Sequence, residues 1–294
     1  MVRNPAAGGR KQLFESTLGA LKRFGVKVDV GQTGAAGEEE ELIREAARDK
    51  TYDAVVAAGG DGTIRKMVAG ILGTSLPLGI IPLGTINVLA LEIGLEPDPE
   101  RVARSIAFGP AERIQVGLIN GRPFVLMVGA GLDGRVVAGV SPALKKIFGK
   151  GAYVLAGIRN LMCRSPAELT ATVDGKDYQA SWVIVSNGTY YAGKYLLAPG
   201  THLANPGFTV SLFQAVRRLG SAAELVALIS RGAWGRPALQ LYGTRKIVLR
   251  SMGVEPVQAD GDSVGRLPVT IRPASHPLPI ILPEDYPRRG TVPR

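Results

Sequence analysis

Five residues in the first quarter of the chain meet two requirements of phosphate chemistry. Gly59-Gly60-Asp61-Gly62-Thr63 follows the apolar run YDAVVAA (52–58), which reads as a buried parallel strand, and opens a helix expected around residues 63–72. Glycines at such a junction let the backbone approach a phosphate closely, and N–H groups at a helix start attract anions. Asp61 among them would repel a bare phosphate. It makes sense if Mg²⁺ lies between the two, because a carboxylate suits that hard cation. The plain alternative is a tight turn with an Asp cap. No Gly-Lys-Ser/Thr follows, so this is not a P-loop.

Three further segments invite the same question. Pro82-Leu83-Gly84-Thr85-Ile86-Asn87 again links a strand, LGII (78–81), to a helix. Thr85 and Asn87 can hydrogen-bond nucleotide phosphates or ribose, or simply cap the helix. Asn4-Pro5-Ala6-Ala7-Gly8-Gly9 sets small residues before a helix. Three such loops at strand C-termini of one parallel sheet carry more weight together, because ligands bind at that edge. Far along the chain, Gln258-Ala259-Asp260-Gly261-Asp262 places two carboxylates around a glycine. They can bind a metal, act as a general base, or be the solvated acids of a β-turn.

The elements that must position these residues fall into two textures. Leu13, Phe14, Thr17, Leu18 and Leu21 share one helical face; Val26, Val28 and Val30 alternate as in a strand; Glu38 to Glu41 open a second helix. Pro97-Asp98-Pro99 starts another. Residues 1–110 therefore read as alternating β and α, the pattern of a parallel α/β sheet. Only Met1, Val2 and Arg3 precede the loop 4–9, so the first strand is expected to be very short, or the chain begins late. After Gly109-Pro110, strands are expected at 113–119 and 123–129 around Asn120-Gly121, and at 167–173 and 178–186 around Asp174-Gly175. A helical insert (142–163) lies between the hairpins, and further strands follow at 207–214, 245–250, 254–259 and 267–272. This half reads as an antiparallel β domain.

Bulk properties narrow the class. Of 294 residues, 46% are apolar and 6% aromatic, enough for a sizeable, mostly aliphatic core. A single cysteine, Cys163, excludes an internal disulfide framework, and with two histidines (His202 and His276) zinc clusters are excluded as well. Neither histidine has a nucleophile motif nearby for Ser-His-Asp chemistry. The net charge of +10 favours anionic partners. The cations come as scattered pairs, such as Lys145-Lys146, Arg217-Arg218 and Arg288-Arg289, without the basic–aromatic interleaving of nucleic-acid binders. No charged-then-apolar leader follows Met1. Residues 67–91 carry no charge, but Pro77, Pro82 and four glycines break the run, so a helix–strand–loop–helix passage is expected there rather than a membrane span.

Taken together, these motifs resemble the diacylglycerol kinase/sphingosine kinase catalytic family, in particular its bacterial lipid-kinase branch. The resemblance runs in order over nearly the whole chain: the NPxxG opening, GGDGT, PLGTxN, GAGLDGRVV (129–137), KxxFGKGAY (146–153), SNGTYYAGKYLLAP (186–199) and the closing DGD. GGDGT alone is shared with NAD kinases; the rest is more specific. The resemblance implies an α/β plus β protein. Its first part is an N-terminal three-layer α/β nucleotide domain of NAD-kinase/phosphofructokinase type (1–110). A C-terminal antiparallel β-sandwich for the lipid (111–275) follows, then a tail (276–294) that returns to the first domain, with the active site in the cleft. It implies ATP contacts at Asn4, Pro5, Ala6, Ala7, Gly8, Thr33, Gly59, Gly60, Asp61, Gly62, Thr63, Ile64, Arg65 and Thr85, with Asn87 as a further candidate, and Mg²⁺ organised by Asp61, with Asp260 as a second metal candidate. The family's closing motif is Asp-Gly-Glu, whose Glu accepts the proton of the lipid hydroxyl; here that position is Asp262, about 1.5 Å shorter in reach. Val88 stands where many members have Asp, and Pro206 in LANPGF (203–208) where metal-holding members have Asp, so a second, structural Mg²⁺ site is not expected.

The expected activity is ATP-dependent phosphorylation of a hydroxyl on a diacylglycerol- or sphingoid-type lipid, with Asp61 and Asp262 as catalytic residues. The expected setting is the cytoplasm, peripheral to the inner, anionic face of the membrane, with no nucleic-acid partner and homodimerisation left open. Two rivals remain: an NAD-kinase-like enzyme with a soluble acceptor, and a catalytically weak lipid- or nucleotide-binding protein.

Overall fold

The computed structural model describes residues 1–3, 10–32, 38–49, 51–139, 167–214 and 237–286. The expected helical insert at 142–163 lies outside them. The chain forms two compact units. The first comprises Met1–Gln115, Tyr190–Tyr195 and the chain from Ser275; the second comprises Val116–Thr189 and Leu196–Ala274.

The first unit alternates β1 (Val2–Arg3), α1 (Lys11–Arg23), β2 (Gly31–Gln32), α2 (Glu38–Arg48), β3 (Val55–Gly59), α3 (Asp61–Ile71), β4 (Leu78–Pro82), α4 (Val88–Glu92), α5 (Pro99–Phe108) and β5 (Ala111–Ile114). A late strand, β20 (Leu278–Ile281), completes a sheet of order β2-β1-β3-β4-β20-β5. All its pairs are parallel except β20 with β5. Every residue of β3 and β4 is buried, as a sheet covered on both faces requires. Leu42 and Ile43 of α2 face Val2 and Val55, and α2 packs against α3. On the opposite face Ile106 of α5 lies over Val56 and Gly79, and α5 packs against α1 through Ala20, Leu21 and Ala103. These are the three layers expected.

Boundaries moved where short-range signals compete. Residues 26–30 are not a ladder strand; pairing begins only at Gly31, because β1 offers just two residues to pair with. Helix α3 begins at Asp61, two residues before the expected start, so the acid lies inside the first turn. Pro99 at the first turn and Asp98, whose carboxylate accepts the Arg101 N–H at 2.8 Å, start α5 as expected. The uncharged stretch 67–91 is the end of α3, β4, a loop and α4, and among the described residues no helix is long and apolar enough to cross a membrane.

In the second unit β6 (Gly117–Ile119), β7 (Arg122–Phe124), β8 (Met127–Gly131), α6 (Leu132–Gly139), β9 (Leu169–Val173), β10 (Lys176–Ala180) and β11 (Trp182–Ser186) come first. After a small hairpin of the first unit, β12 (Tyr190–Tyr191) and β13 (Tyr195–Leu196, whose last residue returns to the second unit), come β14 (Phe208–Phe213), β15 (Leu239–Thr244), β16 (Ile247–Ser251), β17 (Pro256–Ala259), β18 (Asp262–Arg266) and β19 (Val269–Pro273). Two antiparallel sheets, β10-β9-β16-β19-β6-β7 and β15-β14-β11-β8-β17-β18, enclose one aliphatic core. Phe124 of the first sheet and Phe208 of the second meet with ring centroids 5.5 Å apart. Each long strand expected beside Asn120-Gly121 is two: 113–119 divides into β5 of the first unit and β6 of the second, and 123–129 into β7 and β8. Asn120 (φ 46°) with Gly121 and Asp174 (φ 46°) with Gly175 form the left-handed hairpin turns their sequences demand.

Candidate active site

The first unit gathers the glycine loops at one sheet edge. Register places Gly59, the end of β3, beside Pro82, the end of β4. The Gly59 carbonyl then accepts the Leu83 N–H at 3.1 Å and the Asn87 side-chain amide at 3.2 Å. The loops touch backbone to backbone: a Cβ on Gly84 would lie 2.9 Å from both the Gly60 Cα and the Ile86 carbonyl oxygen, so Gly84 admits no side chain, whereas a Cβ on Gly60 would meet the Gly84 Cα at an ordinary 3.6 Å. Arg10, the N-cap residue of α1, donates to the Pro82 carbonyl at 3.2 Å. The hairpin β12–β13 belongs to the same unit, with Gly193 beside Ile86 and the Tyr190 N–H donating to Glu92 at 2.6 Å.

Side chains at this edge divide by role. Asp61 accepts the Val88 N–H at 2.9 Å and the Leu89 N–H at 3.2 Å, holding the start of α4. Asn87 is the N-cap of the same helix, accepting the Ala90 N–H at 3.0 Å. Thr63 is buried against Gly59, and Ile64 is buried in the core, so neither side chain is open to a ligand. Gly60 is the N-cap of α3 and leaves the helix start without a side-chain cap, a common setting for an anion. Arg65 is half-buried, and Gly62 and Thr85 are partly or fully exposed. Asn4, Pro5, Ala6, Ala7, Gly8 and Thr33 lie outside the described residues.

The second unit builds the closing motif. Asp260 (φ 50°) and Gly261 (φ 83°) form a two-residue left-handed turn, and Asp262 is the first residue of β18, opposite Ala259. The Asp260 carboxylate is buried and accepts three backbone N–H groups, from Val125 at 2.7 Å, Leu126 at 2.8 Å and Met127 at 3.0 Å. Its surroundings make it the anchor of the β7–β8 junction and give no support to a metal role. No group of three His, Cys, Asp or Glu side chains among the described residues is placed to hold a cation. The buried Asn187 joins the same junction, donating to the Val125 carbonyl at 2.7 Å. The β-turn that the sequence offered at Asp260-Gly261 is present, but Asp260 in it is buried and not solvated. Sequence reading missed Asp133 and Gln258, which bond each other at 2.5 Å under α6.

These residues suit ATP better than a resident metal. Two glycine loops in backbone contact beside an uncapped helix start give phosphates close access to N–H donors. Magnesium would have to arrive chelated by the nucleotide, since each Asp61 oxygen already takes a backbone N–H and retains only part of its accepting capacity.

Comparison with known proteins agrees in order and extent. The diacylglycerol kinase catalytic domain matches residues 1–119, and the YegS C-terminal NAD kinase beta sandwich-like domain matches residues 126–282. A diacylglycerol kinase of Bacillus subtilis (strain 168) is 27% identical over 295 residues, covering 97% of this chain and 96% of its own. One from Staphylococcus carnosus (strain TM300) is 25% identical, covering 97% and 95%. A crystal structure described as a diacylglycerol kinase of Bacillus anthracis str. Sterne superposes with a TM-score of 0.79 at 21% identity, covering 97% of this chain and 95% of that one, and shows the common fold. With both domains matched in the order that the motifs occur, the chain belongs to the diacylglycerol kinase family of bacterial lipid kinases.

Proposed function

We propose that this kinase transfers the γ-phosphoryl group of ATP to the free hydroxyl of a diacylglycerol or a sphingoid-type lipid. The observation that carries this reading is the closed pair of glycine loops at the end of β3 and β4, joined at Gly60 and Gly84. Such transfer depends mainly on positioning and charge neutralisation. Bound Mg-ATP supplies the phosphoryl group and the cation that neutralises it. The N–H groups of the Gly59–Thr63 loop would hold phosphate, Thr85 would contact the nucleotide, and Asp61, which fixes α4, would supply negative charge to the nucleotide's cation. Asp262 accepts the proton as the lipid oxygen bonds to phosphorus and ADP leaves. Cytoplasmic placement against an anionic inner membrane face fits the net charge of +10.

A panel of diacylglycerol, monoacylglycerol, ceramide, sphingoid base and phosphatidylglycerol, presented in mixed micelles with labelled ATP, tests the reading. Phosphate should appear on one or more lipids and disappear when Mg²⁺ is chelated. Label on NAD and on none of the lipids would favour the rival kinase. Thr85→Ala should raise the KM for ATP several-fold with kcat nearly kept, since it removes a contact made equally in ground and transition states. An unchanged KM would remove Thr85 from the nucleotide site.

A further inference from the structure

The α6 face of the second unit carries a buried polar chain that the proposed chemistry does not use. Asp133, in the first turn of α6, is 5% exposed, and its carboxylate accepts the Gln258 amide N–H at 2.5 Å. Gln258, 2% exposed, uses its amide oxygen to accept the Gly261 N–H at 2.8 Å. The two partners fix the same amide orientation: a carboxylate needs the NH₂ end and an N–H needs the oxygen. Gly261 immediately precedes Asp262.

Backbone geometry is fitted to this chain. Gln258 stands opposite Gly129 of β8, and a Cβ on Gly129 would lie 1.7 Å from the Asp133 carboxylate oxygen. Only glycine there lets Asp133 reach across the sheet. Gly134 likewise admits the Pro256 carbonyl, which a Cβ would meet at 2.0 Å. Arg135 donates through Nε to Glu255 at 2.7 Å and closes a second, two-pronged contact that clamps α6 to the start of β17. The β17–β18 ladder is irregular at Val257/Gln258, where β18 carries an extra residue. Such a bulge re-aims neighbouring side chains.

We infer that Asp133 and Gln258 are positioning residues that hold the Asp260-Gly261 turn, and through it Asp262, in working geometry. The inference rests on Asp262 being the base. A buried carboxylate and a buried amide make a rigid link, whereas an aliphatic pair would fill the same space without holding the Gly261 N–H. Misplacing a reacting group by about 1 Å can cost 10²-fold in rate.

The test uses the full chain and its lipid kinase assay. Gln258→Leu should lower kcat about 10- to 100-fold, leave the KM for ATP unchanged and speed amide exchange at Gly261. Asp133→Asn keeps an acceptor oxygen for Gln258 and should stay within about threefold of wild type. Gly129→Ala, which evicts Asp133 while keeping both polar side chains, should reproduce the kcat loss. It also serves should Gln258→Leu not fold. Adding Asp262→Asn to Gln258→Leu should lower kcat no further than Asp262→Asn alone. Wild-type kcat in folded Gln258→Leu or Gly129→Ala, with Asp262→Asn inactive, would overturn the positioning role. Wild-type kcat in Asp262→Asn would instead remove the base itself, while faster Gly261 exchange in Gln258→Leu would still report the link.

Discussion

Asp262→Asn should lower kcat for lipid phosphorylation about 10²–10⁴-fold, the usual contribution of general acid–base catalysis, while ATP affinity stays near wild type. The substitution keeps the side chain's shape and removes only its capacity to take a proton. A family Glu would reach about one methylene further, so the shorter acid must be carried on a backbone suited to it. That backbone is a two-residue left-handed turn anchored by three N–H bonds to Asp260 and one to Gln258, with a bulge in the strand that Asp262 opens. In a site so fixed, Asp262→Glu should be neutral or harmful, because its extra methylene crowds the acceptor. A gain in kcat with Glu would show that reach limits the native enzyme. Steady-state kinetics on the best lipid of the panel, together with nucleotide titration of each variant, separate these outcomes, and undiminished kcat in Asp262→Asn would exclude it as the base.

Much of the first unit was legible because its signals are local. Apolar runs flanked by glycine gave β3 and β4, and Asp98-Pro99 gave the start of α5. What escaped reading depends on distant pairing. β20 (LPII) carries no strand pattern of its own beside two prolines; it becomes a strand because β4 and β5 leave a slot between them. The run 113–119 looks continuous, yet Ile114 and Gly117 belong to different sheets. Val26, Val28 and Val30 alternate correctly but find no ladder, since propensity fixes no partner.

At the candidate site the residue types were readable and their division of labour was not. Asp260 and Asp262 look equivalent on either side of Gly261, yet one is buried among backbone donors and the other opens a strand. Asn87 resembles a ligand contact and is a helix cap bonded to Gly59. Asp133 sits in a stretch the family resemblance had marked, but its partner lies 125 residues away in sequence. Spacing along the chain could not pair them.

Asp61→Ala should both slow turnover about 10²-fold or more and destabilise the first unit by about 1–2 kcal/mol. Two causes are superimposed at this residue. As an anion in the first turn of α3, Asp61 is proposed to orient the cation of Mg-ATP. As an acceptor for the Val88 and Leu89 N–H groups, it holds the start of α4 and with it the loop that carries Gly84 and Thr85. Asp61→Asn separates the causes, because its single carbonyl oxygen still accepts one N–H while its charge is gone. If charge matters, the Asn variant should be nearly as slow as Ala, should recover about half of the lost stability in a thermal melt, and should need more Mg²⁺ for half-maximal rate. If only the cap matters, turnover should return together with stability. The first outcome is expected, since Asn87 already caps α4 by accepting the Ala90 N–H, so the cap alone does not require a charged residue at position 61. An Asn variant with wild-type turnover and wild-type Mg²⁺ dependence would leave Asp61 with the helix alone.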